Sequence, residues 1–148
     1  MTGPTSNRGT YKHRRMVFPT VKTVLEIHNS IITATGGLAG VKNLGTLESA
    51  LRKPVVSAGG DDAYDGLFRK AAAVGYSIAQ NHVFNDANKR TALLTMLFIL
   101  QSNKVTVKPS EDASSTLMIL IATGHLDIDG IRAALLHWAG ENPSSTEL

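Results

Sequence analysis

The chain's 148 residues make one ordinary domain, and its 43% hydrophobic and 18% charged residues exclude a disordered or fibrous protein. The absence of cysteine removes disulfides and thiolate chemistry, and the longest apolar run, Ala92 to Leu100, is about half of a bilayer crossing. Much of the +3 formal charge sits in the opening stretch NRGTYKHRR, at Arg8, Lys12, Arg14 and Arg15, a run too short to mark a nucleic-acid binder by itself.

Residues 1–18 read as a flexible basic leader, 19–140 as the folded domain and 141–148 as a flexible tail, both ends being polar and poor in apolar residues. The first fifteen residues hold no apolar h-region, so a cytoplasmic protein is expected.

From Thr20, apolar residues at Val21, Val24, Leu25, Ile31 and Ile32 recur at helical spacing, and Gly36-Gly37 stops the pattern. His28 falls on the same face, either as a hydrogen-bonded core histidine or as a border of the functional site. Beyond GGLAGVKNLG, Thr46 is a plausible N-cap for a short helix that must end before Pro54. The stretch VVSAGGDDAYDG then suits a short extended hairpin or a flexible flap. Asp61, Asp62 and Asp65 could suggest metal, but a solvated loop with Asp65 capping the next helix is the ordinary use of such residues.

Leu67, Ala71, Val74 and Ile78 mark a third long pattern ending near Asn81, and its AAAVG segment is small enough to let a neighbouring helix approach closely. Residues 91–100 are apolar nearly all round, which predicts a helix at the centre of a bundle. NKVTVKPS is a break with at most a short strand. Ser110, Glu111 and Asp112 open a helix to about Ala122, and Asp129 is a candidate N-cap for a last helix carrying Ile131, Leu135, Leu136 and Trp138. The class is all-α, with about six helices and room for one small β element.

The chemistry is concentrated in HVFNDANKR, His82 to Arg90, which feeds directly into the apolar helix. A helix start presents unpaired backbone N–H groups and a positive dipole end, so it attracts anions. Asn88, Lys89 and Arg90 add side-chain donors and two cations, which suit a chain of phosphates better than a single carboxylate. Asp86 is out of place beside phosphate unless it serves a cation such as Mg²⁺. His82 brings an imidazole able to accept a proton. Phe84 either anchors the loop in the core or touches substrate, and the first use is commoner for a buried aromatic.

This stretch closely resembles the Fic/Doc signature, H-x-F-x-[DE]-G-N-[GK]-R, and in particular its Doc (death-on-curing) toxin branch. The likeness extends to residues 27–54 and to IATGHLDIDGIRAAL, covering roughly residues 18–140. The resemblance implies a Fic/Doc helical bundle with a short β-hairpin flap, here near Val55 to Gly60, that positions the target segment. It also implies His82 as general base, Asp86 as Mg²⁺ ligand, and Asn85, Ala87, Asn88, Lys89 and Arg90 as the nucleotide and phosphate holders. Two positions depart from the ordinary Fic pattern: Ala87 and Lys89 each stand where Fic proteins usually have glycine.

An extended cation at 89 makes the anion pocket narrower and more positive. In Doc-like proteins this lysine goes with a reversed nucleotide that presents its γ-phosphate, which implies a protein kinase using ATP and Mg²⁺ on a Ser/Thr hydroxyl, elongation factor Tu being the implied target and translation the process blocked. Fic-type adenylyl transfer and a non-catalytic nucleotide- or partner-binding module are the alternatives. Autoinhibited Fic proteins carry [ST]-x-x-x-E-[GN], yet the residues four before each glutamate here are Lys22, Leu44, Val107, His137 and Pro143. Restraint is therefore expected in trans, from an antitoxin whose disordered segment folds on this protein, with neither membrane nor nucleic acid as partner.

Overall fold

A computed structural model describes residues 16–140, and the basic cluster Arg8–Arg15 and the tail 141–148 lie outside them. Among the described residues there are six α-helices: α1 (Val21–Thr35), α2 (Leu44–Leu51), α3 (Leu67–Gln80), α4 (Asn88–Ser102), α5 (Glu111–Ala122) and α6 (Ile128–Trp138). A 3₁₀ turn, Lys53–Val55, and a two-stranded antiparallel hairpin, β1 (Ser57–Ala58) with β2 (Asp61–Asp62), lie between α2 and α3. The protein is thus all-α with a minimal β element. No described helix is long and apolar enough to cross a membrane.

Helix α1 starts where the spacing placed it, with the Thr20 hydroxyl accepting the Thr23 N–H at 3.2 Å, and it stops as Gly36 at φ 79° returns its N–H to Ile32. Helix α5 is likewise capped by Ser110 through Ala113 N–H. The caps of α2 and α6 differ from expectation. Asn43 rather than Thr46 opens α2, and Asp127 rather than Asp129 opens α6, each accepting the N–H three residues on. In both cases an earlier capping side chain meets the first orphan N–H groups, leaving the later candidate inside the helix. Asp129 instead pairs with Arg69 at 3.0 Å on the surface, a kind of contact worth little by itself.

The central helix is α3 and not α4. Eleven of the fourteen α3 residues are buried, against six of fifteen in α4. The reason is the AAAVG segment: small side chains let helices close in from several sides, and a Cβ on Gly75 would collide with Met96 Sδ of α4. The outer side of α4 remains partly uncovered, with Leu94 38% exposed, so its all-round apolar character serves a core on one side and a surface on the other. The core runs along the α3–α4 contact through Phe68, Ala72, Ile78, Met96 and Leu100, with Ile121, Ile131 and Leu135 closing it from α5 and α6.

The hairpin is registered Ser57 to Asp62 and Ala58 to Asp61, with Gly59 and Gly60 both at positive φ in the turn. Its base is held by Lys70, a buried lysine of α3 whose ammonium donates to the Pro54 carbonyl at 2.5 Å and pairs with Asp62 at 3.2 Å. Asp62 is therefore an ion-pair partner rather than a solvated loop residue, because a buried ammonium needs a counter-charge. The expected Asp65 cap of α3 is also displaced: Gly66 occupies the N-cap, without a side-chain cap bond.

Candidate functional site

The segment from α3 to α4 turns on two residues in the left-handed region, His82 at φ 48° and Ala87 at φ 63°. Between them Val83 and Phe84 are buried, while His82, Asn85, Asp86, Lys89 and Arg90 are exposed. The two buried residues root the loop and leave its polar groups at the surface, with Phe84 in the anchoring role. The αL conformation at Ala87 explains why a glycine suits this position: any Cβ there is strained.

The loop closes on itself through Asn88. Its Oδ1 accepts the Phe84 N–H at 2.8 Å and its Nδ2 donates to the Phe84 carbonyl at 2.9 Å. Expected as a side-chain phosphate holder, Asn88 spends its carboxamide on loop geometry, leaving its backbone N–H at the start of α4. Asn85, also expected to hold nucleotide, donates from Nδ2 to the Ala39 carbonyl at 3.2 Å and from its backbone to Gly40.

Helix α1 and the turn after it brace the loop from the other side. Leu38 N–H donates to Asp86 Oδ2 at 3.1 Å, and the approach is close enough that a Cβ on Gly37 would lie 2.7 Å from that oxygen. Lys42 and Asn43 both donate their N–H groups to the Val83 carbonyl. Arg90 donates from Nη1 to the Thr35 hydroxyl at 2.8 Å. His28, 1% exposed, stacks on Phe84 with ring centroids 3.9 Å apart, and its Nε2 lies 2.9 Å from the Asp86 carbonyl oxygen. Since a carbonyl can only accept, Nε2 carries the proton. His28 is thus both a satisfied core histidine and a border of the site. Sequence reasoning missed Leu38 and Thr35, because Gly36-Gly37 reads as a helix stop and gives no sign that the backbone beyond it turns onto Asp86.

The electrostatics follow from these contacts. The Leu38 and Ala87 backbone N–H groups hold the Asp86 carboxyl below the ordinary 3.8 against an opposing effect of burial, with lesser help from the charges of His28 and Arg90. Asp86 is therefore an exposed, ionised carboxylate beside the positive end of α4. Among the described residues no group of three His, Cys, Asp or Glu gathers to hold a metal. A single carboxylate suits Mg²⁺, which ordinarily takes one or two and completes its shell from phosphate and water. Lys89 and His82 have no hydrogen-bond or ion-pair partner among the described residues, so both side chains are available to a ligand.

A second surface feature lies behind the site. Ile27 and Ser30 of α1, Leu94, Leu97 and Phe98 of α4, and Val107 line an open, mainly apolar groove of about 390 Å³.

Comparison with known proteins finds a family and relatives. A family model described as the Fic/DOC family matches residues 18–100, more than half of the chain. The chain is similar to a protein named Toxin Doc from Mycolicibacterium smegmatis, at 38% identity over 108 residues, covering 72% of this chain and 83% of that protein. It is also similar to one named Protein kinase doc from Escherichia phage P1, at 31% identity over 112 residues, covering 76% and 87% respectively.

Proposed function

We propose that this chain, which belongs to the Fic/DOC family, is a Doc-like toxin kinase that transfers the γ-phosphoryl group of ATP, with Mg²⁺, to a Ser/Thr hydroxyl of a protein required for translation. Elongation factor Tu is the target the family resemblance suggests. The carrying observation is Lys89, a cation without a partner among the described residues, in the first turn of α4 where ordinary Fic proteins keep glycine.

In this reading the backbone N–H groups at the start of α4, Lys89 and the free part of the Arg90 guanidinium hold the triphosphate. Asp86 would hold Mg²⁺, which would neutralise phosphate charge when bound. The acceptor hydroxyl oxygen bonds to the γ-phosphorus as its proton passes to His82, and the bond from that phosphorus to the bridging oxygen breaks, releasing ADP. The hairpin Ser57–Asp62 presents the acceptor segment, as an exposed strand edge can.

Incubation with a bacterial translation extract and ATP labelled at the α- or γ-phosphate tests this. Labelling of a protein from γ only is expected, and labelling from α only overturns the kinase in favour of adenylyl transfer. His82→Ala is expected to keep ATP binding and lose labelling by about 10²–10⁴-fold; unchanged toxicity would instead point to a binding module.

Restraint is proposed to come from an antitoxin segment that folds into the α1–α4 groove, whose apolar lining suits an amphipathic helix. A small second protein is expected to copurify from the native host and to be lost on Leu94→Glu. Recovery of the free chain alone, without toxicity, counts against it.

A further inference from the structure

The Asp86–Ala87 peptide is held at both ends: its carbonyl accepts from His28 at 2.9 Å, and its N–H donates to Asp86 Oδ1 at 2.8 Å. A peptide is planar, so the direction of the Asp86 carbonyl and the φ angle of Ala87 turn together. That angle is +63°, a conformation an alanine does not favour, and Ala87 has no side-chain cap bond to fix it as the N-cap of α4. Immediately after Ala87 comes the row of N–H groups that would face phosphate. The carbonyl of Ala87 itself receives the Thr91 N–H at 3.0 Å, so the same residue begins the helix.

We propose that His28 is a positioning residue of the nucleotide site, which holds Ala87 in its left-handed conformation through the Asp86 carbonyl and so aims the start of α4 at the phosphates. The role rests on the proposed nucleotide binding for its consequence, but not for its geometry. It is specific to this chain's alanine, since a glycine at 87 takes positive φ without help. A buried imidazole on the apolar face of α1, between Val24 and Ile31, is otherwise an expensive residue to keep. Its one hydrogen bond reaches 58 residues along the chain to a backbone atom of the proposed Mg²⁺ ligand, where a core contact closer by would have satisfied it equally well.

The test uses the full-length, nucleotide-free protein and three variants. His28→Phe keeps a ring against Phe84 but has no donor. His28→Phe with Ala87→Gly removes the need for one, and Ala87→Gly alone is the control. Backbone NMR shifts and couplings of residue 87 are expected to report positive φ in the wild type and loss of it in His28→Phe. By calorimetry, MgATP affinity falls roughly tenfold in His28→Phe, about the weight of one αL alanine, and returns in the double variant.

A merely structural histidine would give a loss that glycine at 87 does not repair, and that outcome overturns the proposal. So does an Ala87 that stays left-handed in His28→Phe. Should the phenylalanine variant not fold, His28→Met, which also lacks a donor and adapts its shape, replaces it in both backgrounds. If the wild type fails to bind MgATP, the functional reading falls, while the NMR comparison still decides the role of His28.

Discussion

The loop His82–Arg90 and the hairpin Ser57–Asp62 flank one reaction in the proposed mechanism, yet they are held in opposite ways. The loop is tied on every side: to itself through Asn88, to α1 through His28 and Arg90, and to the following turn through Asp86, Asn85 and Val83. The hairpin is two residues deep on each strand and held at its base by the Lys70 ammonium and by the Ala63 N–H donating to the Val56 carbonyl. Charge developing on a phosphoryl group is best met by groups already in place, whereas a protein acceptor has to be admitted and released. Rigidity is therefore concentrated where the charge is, and the substrate-facing edge is left with few restraints.

Several substitutions put that contrast under strain. The largest effect is expected on the loop's free cation: Lys89→Ala should lower phosphoryl transfer by about 10²–10³-fold, measured with γ-labelled ATP, while leaving the melting curve unchanged. Gly37→Ala comes next, because its Cβ collides with Asp86 Oδ2 at a φ of +119°. A loss of about 1–3 kcal/mol in denaturant unfolding is expected, together with weaker MgATP binding. On the hairpin side, Lys70→Met removes the donor to the Pro54 carbonyl and breaks the ion pair with Asp62, and should cost about 1–3 kcal/mol. Its functional mark is a raised KM for the acceptor with ATP affinity intact, and equal losses of both would erase the proposed division of labour.

The smallest effects are local to the loop. Ala87→Gly relieves a left-handed alanine and should stabilise the protein by up to about 1 kcal/mol, the greater freedom of glycine in the unfolded chain offsetting part of the gain. Asp86 should titrate below 3.8 in an NMR series, with the Leu38 amide following the same curve. Because its folded value is the lower one, whatever stability these bonds contribute is present above the unfolded value and lost as pH falls through the folded one. A midpoint at or above 3.8 would mean that the Leu38 and Ala87 contacts do not restrain the carboxylate.

How much of this could be read beforehand depended on the kind of interaction. Helical spacing placed α1 and α3 because the burial of an apolar face is written into local sequence, and the opening residues Ser110, Glu111 and Asp112 placed α5. The motif HVFNDANKR gathered His82, Asp86, Lys89 and Arg90 for the same reason, as neighbours along one short stretch. What stayed hidden was non-local or a choice between adjacent equals. Asn43 and Thr46 are both competent caps, and only the path of the chain decides between them. The apolar surround of Ala92–Leu100 looked like a central helix, since composition cannot distinguish a face that meets the core from one that lines a groove. Asn88 looked like a phosphate donor, whereas its carboxamide is bonded to Phe84, and no local signal marked Lys70 as buried. His28 lay between, its burial readable from spacing but its partner 58 residues away unreadable.

That separation bears on how such a poison is manufactured. A ribosome releases α1 well before the segment that α1 must grip, and domains complete their folding only when their later parts have emerged. The contact between His28 and the Asp86 carbonyl therefore cannot form until residue 86 has left the ribosome. The apolar groove draws on the same two helices, α1 and α4, and also on Val107 beyond them, so on this order of emergence the proposed antitoxin seat is completed only after the loop it would restrain.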